Sequence, residues 1–460
     1  MLRRLALLLA SAVLLLDAAG ARAQGDVVGA RAQDVEPSTH LEGVDPRTLA
    51  AFHAALARVS RGEGVARVAF YGDSHAASDS FTGAVRRALQ ARYGDAGPGF
   101  VLPVRAWPTY RVPSCELSSG GSWRPLRVTA RDRHIDRYGF AGVAVECAPR
   151  ESADAREADD GLGWGELALP ETLVGAEWNL ELWAAAQPGG GTLRVRIDEA
   201  DPVEAALAAD AWSTHYLAVP VVGNGAHRVR VETLGDGAVR LFGAVLERRR
   251  AGVVVDTLGL NGARARDQLS WDDSLFREHL ARRRPDLVVL EYGTNESGDD
   301  EPIAGYEASL QQVVWRFREA APSASCVLVG PTDRPRRVRR VGWVERARQA
   351  SIIEVQRRVA LASGCAFFDT VRFQGGPLST VAWARLDPPL AQRDRVHLTR
   401  LGYLRVGEAL AASLVAGLPA STAAASMTAP STTAPSARVR STAPPPTAPP
   451  SATAAPAAAR

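Results

Sequence analysis

Val65-Ala-Arg-Val-Ala-Phe-Tyr71, running into Gly72-Asp-Ser-His75, is the stretch that decides the fold. A short apolar run that stops at a glycine reads as a buried strand. A helical pattern over 80–93 follows it at once. The same unit recurs after residue 250. Apolar strands are expected over 253–256, 286–292, 326–329 and 365–369, with helices over 264–283, 303–320, 341–363 and 399–416. Upstream, Asp45-Pro46 opens a first helix whose apolar stripe is Leu49, Phe52, Leu56 and Val59. Five apolar strands with helices between them imply a parallel sheet covered on both faces. The predicted class is therefore α/β, a flavodoxin-like three-layer α/β/α sandwich.

Between about 105 and 250 the pattern changes. Asn179-Leu-Glu-Leu-Trp183, Thr192-Leu-Arg-Val-Arg-Ile197, His215-Tyr-Leu-Ala-Val219 and His227-Arg-Val-Arg-Val231 alternate apolar and polar residues, with Gly, Pro and Asp turns between them. That is an all-β signature. It predicts a β-sandwich over 106–250, inserted into an α/β domain made of 46–105 and 251–417. The two ends of the insert must lie close together for the host strands on either side to share a sheet.

The ends of the chain read differently again. Arg3 and Arg4, the apolar run 5–16 and Ala21-Arg22-Ala23 form a signal-peptide pattern over 1–23, with Gln24 as the first mature residue. The run is too short for a membrane span. Residues 24–45 form a polar linker. The segment 418–460 is almost wholly Ala, Ser, Thr and Pro and is expected to be a disordered tail. The protein is thus expected to be exported, to the periplasm or the cell wall and beyond, with no stable membrane span.

Four short segments fall just after expected strands or just before the last helix. They are Gly72-Asp-Ser-His75, Leu260-Asn-Gly-Ala263, Gly293-Thr-Asn-Glu296 and Asp394-Arg-Val-His397. In an open parallel sheet such points converge outside the strand carboxyl ends. Chemistry suits their residue types. A serine hydroxyl needs a base to become a nucleophile. A histidine of near-neutral pKa can serve, and a nearby Asp can orient it. Backbone N–H groups and a side-chain amide can hold an oxyanion. A glycine lets the backbone approach closely.

These segments resemble blocks I, II, III and V of the SGNH (GDSL-like) hydrolases. The resemblance implies Ser74 as nucleophile, Asp394 and His397 as the activating pair, and Gly262 and Asn295 with the Ser74 N–H as oxyanion donors. It covers about 65–105 and 250–415. The interrupting sandwich, together with Phe81-Thr-Gly-Ala84 and Gly94-Asp-Ala-Gly-Pro-Gly-Phe100, is similar to the bacterial peptidoglycan O-acetylesterases, whose insert resembles a carbohydrate-binding module. What this implies is a serine esterase acting on an acylated glycan, O-acetylated peptidoglycan, without cofactor or metal. Two other readings stay open: an SGNH acyltransferase, lipase or thioesterase, and a non-catalytic glycan-binding protein.

Composition narrows the rest. The formal net charge is +3, too small to argue for a nucleic-acid partner. Lys is absent, which excludes a Walker A lysine, a Schiff-base lysine and a Ser-Lys dyad. The cysteines, Cys115, Cys147, Cys326 and Cys365, contain no C-x-x-C pair. Neighbourhood in sequence suggests Cys115–Cys147 and Cys326–Cys365, though other pairings stay open. His75, beside Ser74, is assigned a structural or rim role rather than that of base. Glu291 and Glu296 flank block III as supporting or surface groups. Arg334 to Arg340 reads either as a solvated loop or as a rim for an anionic wall polymer. The Trp residues between 107 and 212 read mostly as sandwich core, with one or two as sugar platforms. Oligomeric state is not set by the sequence.

Overall fold

A computed structural model describes residues 41–418 apart from 46, 132, 134–135, 150–161, 170–176 and 223–225. The expected signal peptide, nearly all of the linker and nearly all of the tail lie outside the described residues.

Strand β1 is Val65–Gly72, β2 is Gly252–Gly259, β3 is Leu287–Glu291, β4 is Ser325–Val329 and β5 is Ala366–Phe368. All neighbours are parallel, in the order β2-β1-β3-β4-β5. This is the flavodoxin-like order, in which the chain crosses from one side of β1 to the other. Alternate residues of each strand serve opposite faces. Val68 and Phe70 join Val253, Val255 and Val289 in one core. Helices Ala50–Ser60 (α1), Phe81–Tyr93 (α2) and Arg400–Leu414 (α6) cover that face. Ala69 and Tyr71 join Leu258, Val288 and Leu290 in the other core, under Asp273–Arg283 (α3), Ile303–Ala320 (α4) and Ala347–Ala362 (α5). The stripe expected on α1 is buried at Leu49, Phe52, Leu56 and Val59.

The second core continues beyond the helices. A six-stranded antiparallel sheet runs Ser213–Val221, Trp178–Ala186, Val239–Arg248, Val143–Cys147, Arg124–Arg127, with Gly99–Val101 also paired to Val239–Arg248. A five-stranded sheet runs Glu116–Gly120, Trp164–Leu169, His227–Thr233, Thr192–Ile197, Val203–Ala206. Apolar side chains of both sheets, among them Trp183, Leu182, Leu167 and Val229, belong to the same core as Tyr71 and Phe317. The Tyr71 hydroxyl donates to the Phe140 carbonyl at 3.0 Å. The chain leaves and re-enters the parallel region at adjacent points, since Asp95 bridges Val253.

A buried ion network marks this seam. Arg283 of α3 donates to both carboxylate oxygens of Asp256 on β2, at 2.7 and 2.8 Å, and also to Glu247 of the antiparallel sheet. Arg67 of β1 meets the same Glu247 at 2.9 and 2.7 Å. Asp256 further accepts the Phe100 N–H at 2.7 Å. Burial alone would push the Glu247 carboxyl up, but Arg283 and Arg67 outweigh it and bring its pKa down to about 2.

Three sequence expectations need correction. The helix expected over 264–283 breaks. A 3₁₀ turn, Ala265–Leu269, comes first, and Asp272 then caps α3 by accepting the Leu275 N–H at 2.7 Å. The helix expected over 341–363 starts only at Ala347, because Arg336–Val338 and Gly342–Val344 pair as a hairpin. Cys326 and Cys365 are joined in a disulfide, but Cys115 and Cys147 are not bonded to each other. Cys147 ends a strand of the six-stranded sheet, beside Thr233, whereas Cys115 sits at the start of a strand in the five-stranded sheet.

Candidate active site

β1 delivers Ser74 to the carboxyl edge of the parallel sheet. Asp73 accepts the His75 N–H at 2.9 Å and so caps the helical turn Ser74–Ala77. A Cβ on Gly72 would lie 2.7 Å from both Ala76 Cβ and Glu291 Oε2, so only glycine fits the strand end. Ser74 Oγ is half-exposed and lies 2.9 Å from His397 Nε2.

His397 stands in the loop before α6. Asp394 Oδ1 accepts the N–H groups of Val396 and His397, both at 3.0 Å, and its Oδ2 lies 2.7 Å from His397 Nδ1. One carboxylate thus folds the loop and orients the ring. Burial works to raise the Asp394 pKa, but the hydrogen bonds from His397 and the loop backbone hold it below the usual carboxylate value. An ionised Asp394 makes Nδ1 the donor and leaves Nε2 as acceptor for the Ser74 hydroxyl.

Gly262 follows β2 in an exposed loop with φ +76°, where open space would surround a Cβ. The need for glycine there is conformational rather than steric. Asn295 follows β3. Its amide Nδ2 donates to the Ala263 carbonyl at 2.9 Å and lies 3.5 Å from Asp73 Oδ2. The Leu260 N–H donates to the Gly72 carbonyl at 3.0 Å, which fastens the block II loop to the end of β1.

Several further side chains clamp these loops. Glu296 accepts the N–H groups of Ala265 at 2.8 Å and Gly293 at 3.1 Å. Arg264 and Asp299 form a two-pronged pair with both contacts at 2.6 Å. Arg334 donates to the carbonyls of Thr294 and Asn295. Gln356 Nε2 holds the Tyr292 carbonyl at 2.8 Å. Glu291 Oε2 accepts the Asp73 N–H at 3.3 Å. Asp73, Glu291 and Glu296 are all buried, and burial pushes each carboxyl's pKa up. In Glu291 the charge of Asp73 adds to that rise. The Asp73–Glu291 pair therefore retains a proton to neutral pH.

His75 is fully buried. Its Nδ1 meets the Tyr403 hydroxyl at 2.8 Å and its Nε2 meets Thr332 Oγ1 at 3.1 Å. Burial pushes its pKa down to about 3. Both nitrogens are occupied, so the structural role holds and a rim role does not. Glu291 and Glu296 are interior braces, not surface groups. Their only sequence signal was that they flank block III. Nothing in the sequence marked Gln356, Thr332 or Tyr403, and Arg334 was marked only as the first residue of an arginine-rich run.

Beside the Ser74 turn a narrow slot is lined by Ala77, Leu260, Phe100, Trp107, Tyr110 and Arg111. A larger open cleft of about 790 Å³ lies at the seam, around Arg67, Glu247 and Arg283. Arg67 stands near the amino end of β1, so that cleft is at the far end of the strand from Ser74. Among the described residues, no group of three or more His, Cys, Asp or Glu side chains is arranged to hold a metal ion. No described helix is long and apolar enough to cross a membrane.

Residues 222–405 match the GDSL-like lipase/acylhydrolase family. Over that span the chain is similar to a family of ester hydrolases. The match holds Gly262, Asn295, Asp394 and His397 but starts downstream of Ser74, because the antiparallel stretch separates β1 from β2 in sequence. No curated protein matches the chain. Among solved structures, a peptidoglycan O-acetylesterase is similar at 24% identity and TM-score 0.66, over 81% of this chain and 97% of that one. That likeness shows the shared fold. A family two carbohydrate esterase from Cellvibrio japonicus is similar at 12% identity and TM-score 0.27, over 66% of this chain and 97% of that one. An active-site mutant of a family two carbohydrate esterase from Clostridium thermocellum aligns at 12% identity and TM-score 0.28, over 66% and 98%.

Proposed function

We propose that the protein is an exported serine esterase that removes acetyl groups from O-acetylated cell-wall glycan, with Ser74, His397 and Asp394 as its triad. The observation that carries this reading is the relay from Ser74 Oγ through His397, 2.9 Å on one side and 2.7 Å on the other. Ser74 Oγ attacks the acetyl carbonyl carbon while its proton passes to His397 Nε2. Asp394 stabilises the imidazolium. The carbonyl oxygen becomes an oxyanion held by the N–H groups of Ser74 and Gly262 and by the Asn295 amide. The proton that the Asp73–Glu291 pair retains leaves one negative charge rather than two behind Asn295, which lessens repulsion of that oxyanion.

The bond from the acetyl carbon to the sugar oxygen then breaks, and His397 gives its proton to the departing hydroxyl. Water, deprotonated by His397, attacks the acetyl-Ser74 ester; the bond from the acetyl carbon to Ser74 Oγ breaks, acetate leaves and His397 returns the proton to Ser74 Oγ. The structural likeness to a peptidoglycan O-acetylesterase supports peptidoglycan as that glycan.

Acetate release from O-acetylated peptidoglycan, acetylated xylan and long-chain esters tests the reading. Peptidoglycan is expected to be the best substrate, with no release by Ser74→Ala. Faster turnover of long-chain esters would point to a lipase instead, and acetyl transfer to an added glycan in place of release would point to a transferase.

A further inference from the structure

The side chains of Arg336, Arg337, Arg339 and Arg340 are exposed on the hairpin Arg336–Val338/Gly342–Val344. Among the described residues they make no ion pair or side-chain hydrogen bond. Surface arginines elsewhere commonly do, as in Arg194–Glu204, Arg228–Glu166, Arg277–Asp273 and Arg358–Glu307. The nearby carboxylates do not neutralise the hairpin. Asp333 is buried and accepts from Thr380 at 3.1 and 2.8 Å. Asp394 is committed to His397. Glu345 is the one remaining carboxylate between residues 334 and 346. Four like charges on so short an element repel one another, and the single carboxylate of Glu345 is too few to offset them.

The hairpin is also fastened to the catalytic loops at its base. Arg334, just before it, donates to the block III carbonyls of Thr294 and Asn295, and its own N–H is held by Gln349 Oε1 at 2.9 Å. Trp343, on its second strand, has the guanidinium of Arg395 6.0 Å from its ring centre. Arg395 stands between Asp394 and His397. The unpaired cations are thus carried on an element tied to both the Asn295 and the His397 loops.

We propose that this hairpin is a cationic docking arm that binds carboxylates along the same glycan strand that presents the ester. This rests on the esterase reading above and adds a selectivity to it: the ester is taken preferentially from a chain that bears negative charge. A repeating polyanion fits better than a small anion, because the open hollow that Arg337, Arg339 and Arg340 share, about 540 Å³, is far wider than a small anion, and Arg336 lies outside it. A lipid surface fits less well. Val341, 70% exposed, is the sole large apolar side chain exposed on the hairpin, too little to anchor in a bilayer.

The test compares the wild type with a variant in which Arg336, Arg337, Arg339 and Arg340 are all changed to Gln. Three readouts are taken: turnover of neutral p-nitrophenyl acetate, co-sedimentation with peptidoglycan sacculi, and co-sedimentation with phosphatidylglycerol vesicles, each at low and high salt. The expected result is unchanged turnover of the neutral ester and about tenfold weaker binding to sacculi at low salt. Salt should abolish the difference, and neither protein should pellet with vesicles. Equal binding of the two proteins to sacculi would overturn the arm. So would a parallel loss of neutral-ester turnover, which would make the hairpin a structural part of the site, or arginine-dependent vesicle binding in place of sacculus binding. Absence of neutral-ester turnover in the wild type would instead strike the esterase reading, while the sedimentation result still decides the arm.

Discussion

Arg283 at the seam and Asp73 behind the nucleophile are both buried and both charged in isolation, yet their surroundings are opposite. Arg283 faces Asp256 and Glu247, and Arg67 meets Glu247 from the other side, so every charge there has a partner of opposite sign. Asp73 faces Glu291 and lies near Glu296, so carboxyl groups crowd one another. Opposed charges, well hydrogen-bonded, can join two parts of a fold. Like charges in a buried site shift each other's protonation, which is how groups near a reaction centre are tuned. The seam therefore reads as architecture and the cleft as chemistry. The antiparallel region shares its core and its ions with the parallel sheet.

The sharpest way to break that contrast is at Arg283. Arg283→Met leaves Asp256 buried without its cation and Glu247 with Arg67 alone, and should cost about 3–5 kcal/mol, read as a lower denaturation midpoint. A loss below about 1 kcal/mol would mean that the seam is not held by its charges. Asn295→Ala should do the converse. It should lower kcat by about 10²–10³ with little change in KM, because the amide acts mainly on the transition state. Its effect on stability should be about 1 kcal/mol, one hydrogen bond's worth. A change confined to KM would reassign Asn295 to ground-state binding.

Acidity separates the two regions with smaller effects of opposite sign. The Glu247 carboxyl is held at about 2 in the folded chain against an ordinary 4.5, so the folded state binds fewer protons. Its stabilisation is present above about pH 4.5 and is lost as the pH falls toward 2. The Asp73–Glu291 pair is raised, so there the folded state binds more protons. Its stabilisation is present below the ordinary carboxylate pKa and is lost as the pH rises toward neutrality. Thermal midpoints across pH should show Glu247→Gln flattening the acid limb alone and Glu291→Gln flattening the fall toward neutral pH alone. Crossed effects would dissolve the distinction.

Much of this was legible in the sequence because it is written locally. Apolar runs over 65–71, 253–256 and 286–292 marked strands, and the order of the four blocks implied where they meet. The α4 boundaries, Ile303–Ala320, follow directly from a 3.6-residue stripe. What escaped has no local period. Gly99–Val101 is too short to alternate, and its pairing depends on Val239–Arg248, far along the chain. The break at Ser270-Trp271-Asp272 carried a capping signal in Asp272 that the surrounding helical pattern overshadowed. The seam ions come from residues as distant as Arg67 and Glu247, and no spacing rule links them. The bracing of His75 by Tyr403 and Thr332 is a tertiary fact for the same reason.

The central claim is that Ser74 is the atom-donating nucleophile, and covalent trapping tests it most directly. The protein is treated with an aryl-ester-like phosphonofluoridate, and the modified peptide is located by mass spectrometry. A single adduct on Ser74 is expected, formed at a rate that falls strongly in His397→Ala. An adduct on any other residue, or undiminished labelling and esterase turnover in Ser74→Ala, would contradict the account.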